Sequence, residues 1–124
     1  SKEIFKILGS GAKELRTIVK EEVRFPLRDD VSDQIHTLMD TLRYHDGPWK
    51  RKSVAVSSIQ AGIKKRFFVY SDPKYATEKN PYRRLRVVIN PKIVDFSSEV
   101  FEMQEGCLSI PESICYVNRY KHIL

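Results

Sequence analysis

"MQEGCLSIPE", residues 103–112, places Cys107 between a glycine and a leucine, beside an acid and shortly before a proline. A lone cysteine in such a strand-like stretch is consistent with a small buried apolar side chain. Gly106 permits close backbone approach, and the Leu108 N–H could donate to an oxygen of a bound substrate. Glu105 adds an acceptor that could hold a peptide-like ligand. Both a structural thiol and a metal ligand therefore fit Cys107.

The stretch lies among short runs rich in Val, Ile, Phe and Tyr, which predict strands. Upstream, apolar residues recur with the period of a helix over residues 30–44, where Asp30 and Asp33 resemble a capping pair and Gly47-Pro48 ends the element. The helix face comprises Val31, Ile35, Leu38, Met39 and Leu42. The predicted strands are residues 53–56, 66–70, 85–89, 99–103 and 114–117. This order predicts an α+β fold with mainly antiparallel sheets around helices.

The N-terminal region has weaker patterns. Residues 4–8 predict a short strand or turn, residues 9–11 a turn, and residues 12–19 a brief helical segment. Residues 71–82 predict a surface loop, because they combine prolines, Asn80 and several charges. The helical residue His36 lies off the apolar face and is predicted to be solvated.

Composition limits the classes of protein. The chain has 124 residues, of which 41% are hydrophobic and 31% charged, and we expect residues 1–124 to form one domain. Two cysteines are too few for a disulfide framework, which favours a reducing compartment. No apolar run approaches the roughly 20 residues of a membrane span, and no signal peptide is visible. The net charge of +6 comes partly from short basic clusters, which fit either solvated charge or a surface facing RNA or the ribosome.

A second stretch, "SVAVSSIQAGI" at residues 53–63, follows a predicted strand with small residues and then Gln60. An uncharged glutamine can donate two N–H bonds, so it could stabilise an oxyanion at neutral pH. It could equally bond to neighbouring backbone in a turn. The two interpretations remain open on this stretch alone.

Together, in this order, the two stretches resemble the peptide deformylase family. That family has a first motif of the form G-x-G-L-A-A-x-Q, a second of the form E-G-C-L-S, and a third, HE-x-x-H, on a later helix. Residues 105–109 match the second motif at every position, Gln60 stands at the end of the first, and "VVINPKIV" at 87–94 is similar to the segment between them. The resemblance spans essentially the whole chain.

The resemblance implies hydrolysis of the N-formyl group from the initiator methionine of nascent peptides. It implies Cys107 as a metal ligand, with Gln60 and the Leu108 N–H holding the formyl oxygen. The remaining implied substrate contacts are Val54, Ala55, Met103, Glu105 and Gly106. The implied cofactor is a divalent metal, Fe²⁺ in the first place, with Zn²⁺ or Ni²⁺ as replacements.

The implied partners are N-formyl-methionyl peptides and, as a further option, the ribosome, with no membrane and no dedicated nucleic-acid binding. The implied location is the cytoplasm in a bacterium, or a mitochondrion or other organelle in a eukaryote.

Two departures from the family pattern stand out. Ser53 and Ala55 occupy the positions of the first motif's glycines. No HE-x-x-H occurs, since His36, His45 and His122 form no such pair. We therefore expect the C-terminal metal-binding helix to be missing from this chain and the chain as it stands to be metal-poor and inactive. The alternative is a non-catalytic deformylase-like protein that binds peptide or a ribosomal or RNA surface.

Overall fold

The computed structural model describes residues 4–45, 55–72, 74 and 84–124, with the backbone alone at 111–113. The predicted helix stop at Gly47-Pro48, the start of the strand predicted at 53–56 and most of the loop predicted at 71–82 lie outside the described residues.

The predicted helix is confirmed as α1, Asp29–Tyr44, one residue longer at its start. Four of its five predicted core residues are buried and Met39 is half-buried against them, since the apolar stripe faces a sheet. The predicted capping pair is wrong, because Arg28 is the N-cap residue and no side chain caps the helix. Asp29 and Asp30 in the first turn still complement the positive end of the helix dipole.

The sheet beneath α1 is antiparallel, as predicted. It consists of β1 (Ala55–Ser57), β2 (Phe67–Ser71) and β3 (Leu85–Ile89), in that spatial order. Val69 on the central strand lies opposite Val56 on one side and Val87 on the other. Within the described part of the chain, one core cluster joins α1, this sheet and the N-terminal segment, and it comprises Val23, Val31, Ile35, Leu38, Leu42, Val56, Phe67 and Val69.

A separate hairpin carries the cysteine stretch. It pairs β4 (Val100–Cys107) with β5 (Ile110–Tyr120) in antiparallel register. The strands predicted at 99–103 and 114–117 were therefore too short, because the motif itself continues β4 and turns at Leu108 and Ser109. The register shifts between Glu105 and Cys107, after which Cys107 lies opposite Ile110.

The N-terminal segment has mostly irregular structure, and no strand forms at residues 4–8. The predicted helical segment at 12–19 shrinks to a 3-10 helix at Lys13–Arg16. Tertiary contacts hold the segment instead: the Phe5 N–H donates to Thr41 Oγ1 of α1 at 2.9 Å. Across the residues that the structure describes, none of the helices has the length and apolar character to cross a membrane.

Candidate active site

Gln60 lies on a 3-10 helix, Ser58–Ala61, that follows β1 directly. The helix begins with a capping box: the Ser57 side chain accepts from the Gln60 N–H, and Gln60 Oε1 accepts from the Ser57 N–H at 2.9 Å. The helix ends at Gly62, whose φ of 77° is in the left-handed region that favours glycine. The turn therefore holds Gln60 at both its backbone and its side-chain oxygen.

The other end of the Gln60 amide meets the cysteine stretch. Gln60 Nε2 lies 3.5 Å from Cys107 Sγ and donates to Ser109 Oγ at 3.1 Å. Cys107 is exposed, whereas Ser109 is only 7% exposed. Residues from two stretches at least 47 positions apart in the chain thus form one polar cluster, which we call the Gln60 cluster: Ser57, Gln60, Cys107 and Ser109.

One N-terminal segment, residues 8–10, is hydrogen-bonded to both halves of this cluster. The Leu8 N–H donates to the Gln60 carbonyl at 2.7 Å, and the Ser10 N–H donates to the Ser109 carbonyl at 3.1 Å. Both bonds use backbone atoms, so they hold the segments that carry Gln60 and Ser109 without occupying the side chains of these two residues. The contact between the two motifs therefore has a backbone framework.

Glu105, two residues before Cys107, is held by an ion pair across the hairpin. Its two carboxylate oxygens accept from Arg119 Nε at 2.6 Å and from Arg119 Nη2 at 2.5 Å. The hydrogen bonds from Arg119 lower the pKa of Glu105 below 4.5, and the same bonds raise the pKa of Arg119. Both carboxylate oxygens of Glu105, the residue predicted to supply an acceptor for a ligand, thus accept from Arg119.

The remaining predicted substrate contacts differ in exposure. Leu108 is half-buried against the core, at the turn between β4 and β5. Ala55 is exposed at the start of β1, and Gly106 is exposed next to Cys107. Met103 is 46% exposed on β4, opposite Val117. Val54 lies outside the described residues, and the functional roles of all these residues stay predictions.

The Cys107 thiol is a potential soft metal ligand, but the described residues do not complete a metal site around it. Among residues 4–45, 55–72, 74 and 84–124, no three His, Cys, Asp or Glu side chains come together in a way that could hold a metal ion. Zn²⁺ sites typically use three or four protein ligands. The donor set in this part of the chain therefore fits a metal only if further ligands come from elsewhere.

Sequence reasoning missed three members of this arrangement: Ser57, Ser109 and Arg119. The contact between Ser57 and Gln60 could have been predicted from the sequence, because the two residues have the spacing of a capping box. Ser109 belongs to the quoted motif but received no role. Arg119 carries no local signal, since its partner is 14 positions away across a hairpin.

Comparison with known proteins shows the family to which the chain is related. The family model for polypeptide deformylase matches residues 4–124. A peptide deformylase of Fusobacterium nucleatum is 32% identical over 121 residues, which are 98% of this chain and 62% of that protein. One of Brachyspira hyodysenteriae is 35% identical over 95 residues, covering 77% and 49%.

A solved structure shows the same likeness in three dimensions. The peptide deformylase of Thermotoga maritima superposes with a TM-score of 0.77 at 28% identity, over 98% of this chain and 71% of that one. The chain spans about half to three-fifths of the length of the curated relatives named above. Since the family match covers nearly every residue of the chain, the chain belongs to the polypeptide deformylase family.

Proposed function

We propose that the natural protein containing this chain is a peptide deformylase, a metal-dependent hydrolase that removes the N-formyl group from the initiator methionine of nascent peptides. The observation that carries the proposal is the contact of Gln60 Nε2 with Cys107 Sγ at 3.5 Å. It joins the two stretches that the family uses for oxyanion binding and for metal binding. Family membership supports the same activity.

Gln60 would bind the formyl oxygen. Its Oε1 already accepts from the Ser57 N–H, so the amide is turned with its N–H groups toward Cys107. A neutral donor held in this way needs no reorganisation when the carbonyl oxygen gains negative charge. The Leu108 N–H, at the adjacent turn, would be the second donor.

Substrate contacts would extend along both neighbouring strands. Val54 and Ala55 precede the Gln60 turn and would pair with the peptide backbone as an added strand. Met103 would contact the methionine side chain, and Gly106 would let the peptide approach closely. Glu105 would act mainly through its ion pair with Arg119, by holding the strand that leads to Cys107.

Cys107 would be one ligand of a divalent metal, with the other ligands supplied from outside the described residues. A thiolate suits Fe²⁺, which we expect, and also Zn²⁺ or Ni²⁺. When bound, such an ion polarises a carbonyl and lowers the pKa of water. The chain's own residues would orient the formyl group and stabilise the charge on its oxygen.

Formate release from a formyl-methionyl peptide by the full-length protein tests the proposal. With added Fe²⁺ under reducing conditions we expect turnover, and Cys107→Ser should lower both the bound metal and the rate. Gln104→Asn, an exposed change on the same strand, is the matched control and should keep both. Metal-loaded, folded protein that releases no formate would contradict the proposal.

A non-catalytic, peptide-binding relative is the second candidate. The observation favouring it is that the described residues bring together no three potential metal ligands. Such a protein would bind formyl-methionyl peptide in a titration but release no formate at any metal concentration. Binding to ribosomes or RNA that weakens steeply with salt would point to its basic clusters instead.

The proposed partners are N-formyl-methionyl peptides, met as they leave the ribosome. The named relatives come from bacteria, so we propose a cytoplasmic site of action, or an organelle if the source is eukaryotic. Fractionation of source cells, with the protein followed by antibody, tests this placement.

A further inference from the structure

Ser109 occupies a position in the Gln60 cluster that the proposed function leaves without a role. Its hydroxyl is buried, with 7% of the residue exposed, and it accepts from Gln60 Nε2 at 3.1 Å. Its carbonyl accepts separately from the Ser10 N–H, so the contact of the hydroxyl with Gln60 is independent of the Ser109 backbone bond. Buried polar groups in proteins are as a rule hydrogen-bonded, and Gln60 is the partner of this hydroxyl.

The hydrogen-bonding capacity of Gln60 makes this contact informative. A side-chain amide has an acceptor oxygen and two N–H donors. The Ser57 backbone N–H can only donate, so Oε1 must face it and Nε2 must face the other way. Ser109 Oγ then takes one N–H, which leaves a single N–H directed toward Cys107 Sγ.

We propose that Ser109 is the positioning residue of the oxyanion donor: its hydroxyl fixes the plane of the Gln60 amide so that one N–H points to the space beside Cys107. This inference rests on the proposed function for its catalytic consequence, but not for its structural content. Without the hydroxyl, the Gln60 side-chain amide keeps the bond from the Ser57 N–H and the longer contact with Cys107 Sγ. Its terminal torsion, which has a broad energy profile, is then less restrained. Ser109 acts through Gln60 and touches no reacting atom.

Side-chain amide exchange in the folded protein tests the positioning directly, without any need for activity. One of the two Gln60 Nε2 protons should exchange slowly in the unaltered protein. In Ser109→Ala it should exchange at least about tenfold faster, the factor expected for one lost hydrogen bond. Ser109→Thr retains the hydroxyl and should restore slow exchange.

The kinetic test uses the full-length, metal-loaded enzyme. Ser109→Ala should lower kcat by about tenfold while KM changes less than about twofold, because the lost bond matters when the oxygen becomes charged. Ser58→Ala is the matched control: it deletes another buried hydroxyl on the same turn, one that donates to the Lys65 carbonyl and does not touch the Gln60 amide. It should lower stability but keep kcat and the Gln60 exchange rate.

The results separate this inference from the proposed function. Fast exchange of both Gln60 protons in the unaltered protein would overturn the role of Ser109, even if no variant folds. Unchanged kcat in Ser109→Ala, alongside a large loss in Gln60→Glu, would also overturn it while leaving the deformylase proposal standing. Slow exchange that depends on Ser109 in a protein without formate release would support the positioning and reject the enzyme.

Discussion

Asn90 binds the backbone of Val23 through both ends of its side-chain amide. Its Oδ1 accepts from the Val23 N–H at 2.7 Å, and its Nδ2 donates to the Val23 carbonyl at 2.8 Å. The two residues are 67 positions apart, and Val23 is 4% exposed. The Asn90 side chain thereby pairs with both backbone polar groups of Val23, as the backbone of a neighbouring strand would. It links the N-terminal segment to the end of β3.

Replacing Asn90 with alanine should destabilise the protein substantially. Asn90 has a φ of 53°, a left-handed conformation that asparagine tolerates better than alanine. The lost bonds to a buried backbone and the unfavourable φ together should lower the free energy of unfolding by about 2–4 kcal/mol. Urea denaturation followed by circular dichroism measures this change.

Two further variants separate the causes. Asn90→Gly loses the same bonds without the conformational cost, so its free energy of unfolding should lie between those of alanine and wild type. Asn118→Ala, at an exposed position on β5, should change stability by less than about 0.5 kcal/mol. An alanine variant at position 90 as stable as Asn118→Ala would refute the clamp.

Thr41 provides a second prediction about the N-terminal segment. This residue is 0% exposed, and its hydroxyl accepts from the Phe5 N–H at 2.9 Å while it donates to the Thr37 carbonyl at 2.7 Å. Thr41→Val preserves the shape but removes the acceptor, and should cost about 1–3 kcal/mol. Amide exchange of Phe5 should become fast in the same variant. Thr41→Ser keeps the hydroxyl and should retain slow exchange, so equal effects of the two changes would exclude this account.

The variant Gln60→Glu should remove hydrogen-bond donation by this side chain without preventing the turn from folding. A carboxylate can still accept from the Ser57 N–H, so the turn should form as before. It cannot donate to a developing oxyanion, and kcat of the full-length enzyme should fall by about 10²–10³-fold. Gln104→Glu adds the same charge at an exposed position on β4 and should leave kcat near wild type. Equal activity of the two variants would remove Gln60 from the reaction.

The ion pair between Glu105 and Arg119 should make stability sensitive to acid. Because Arg119 lowers the pKa of Glu105 below 4.5, the ion pair contributes above pH 4.5 and is lost as the pH falls through the lowered value. The free energy of unfolding should therefore decrease on acidification in this window, and Glu105→Gln should show a shallower decrease. Denaturation midpoints measured from pH 7 to pH 3 provide the comparison.

Arg119→Met is the companion variant for this prediction. It removes the partner but retains the carboxylate, so the pKa of Glu105 should return toward its ordinary value. Its acid dependence should match that of Glu105→Gln. Wild-type acid dependence in both variants would mean that other groups control the transition.

The helix and the second motif could be predicted because their signals are local. The spacing of Val31, Ile35, Leu38 and Leu42 repeats every turn, and each of these residues is buried as the period predicts. The lengths of β4 and β5 could not be predicted in the same way, because pairing across the hairpin extends both strands through polar residues such as Gln104 and Asn118. Local β propensity is weak in those positions, and the partner strand supplies the missing stability.

For the site, the two sequence motifs were sufficient to single out Gln60 and Cys107 as candidate functional residues and to indicate the protein family. Their contact, the burial of Ser109 and the pairing of Asn90 with Val23 follow from packing between segments 47 to 67 positions apart. Closing such long loops is favourable only when many distant contacts form together. Local sequence motifs therefore predict which residues are candidates for the chemistry. Cooperative tertiary packing determines which of their polar groups come into contact.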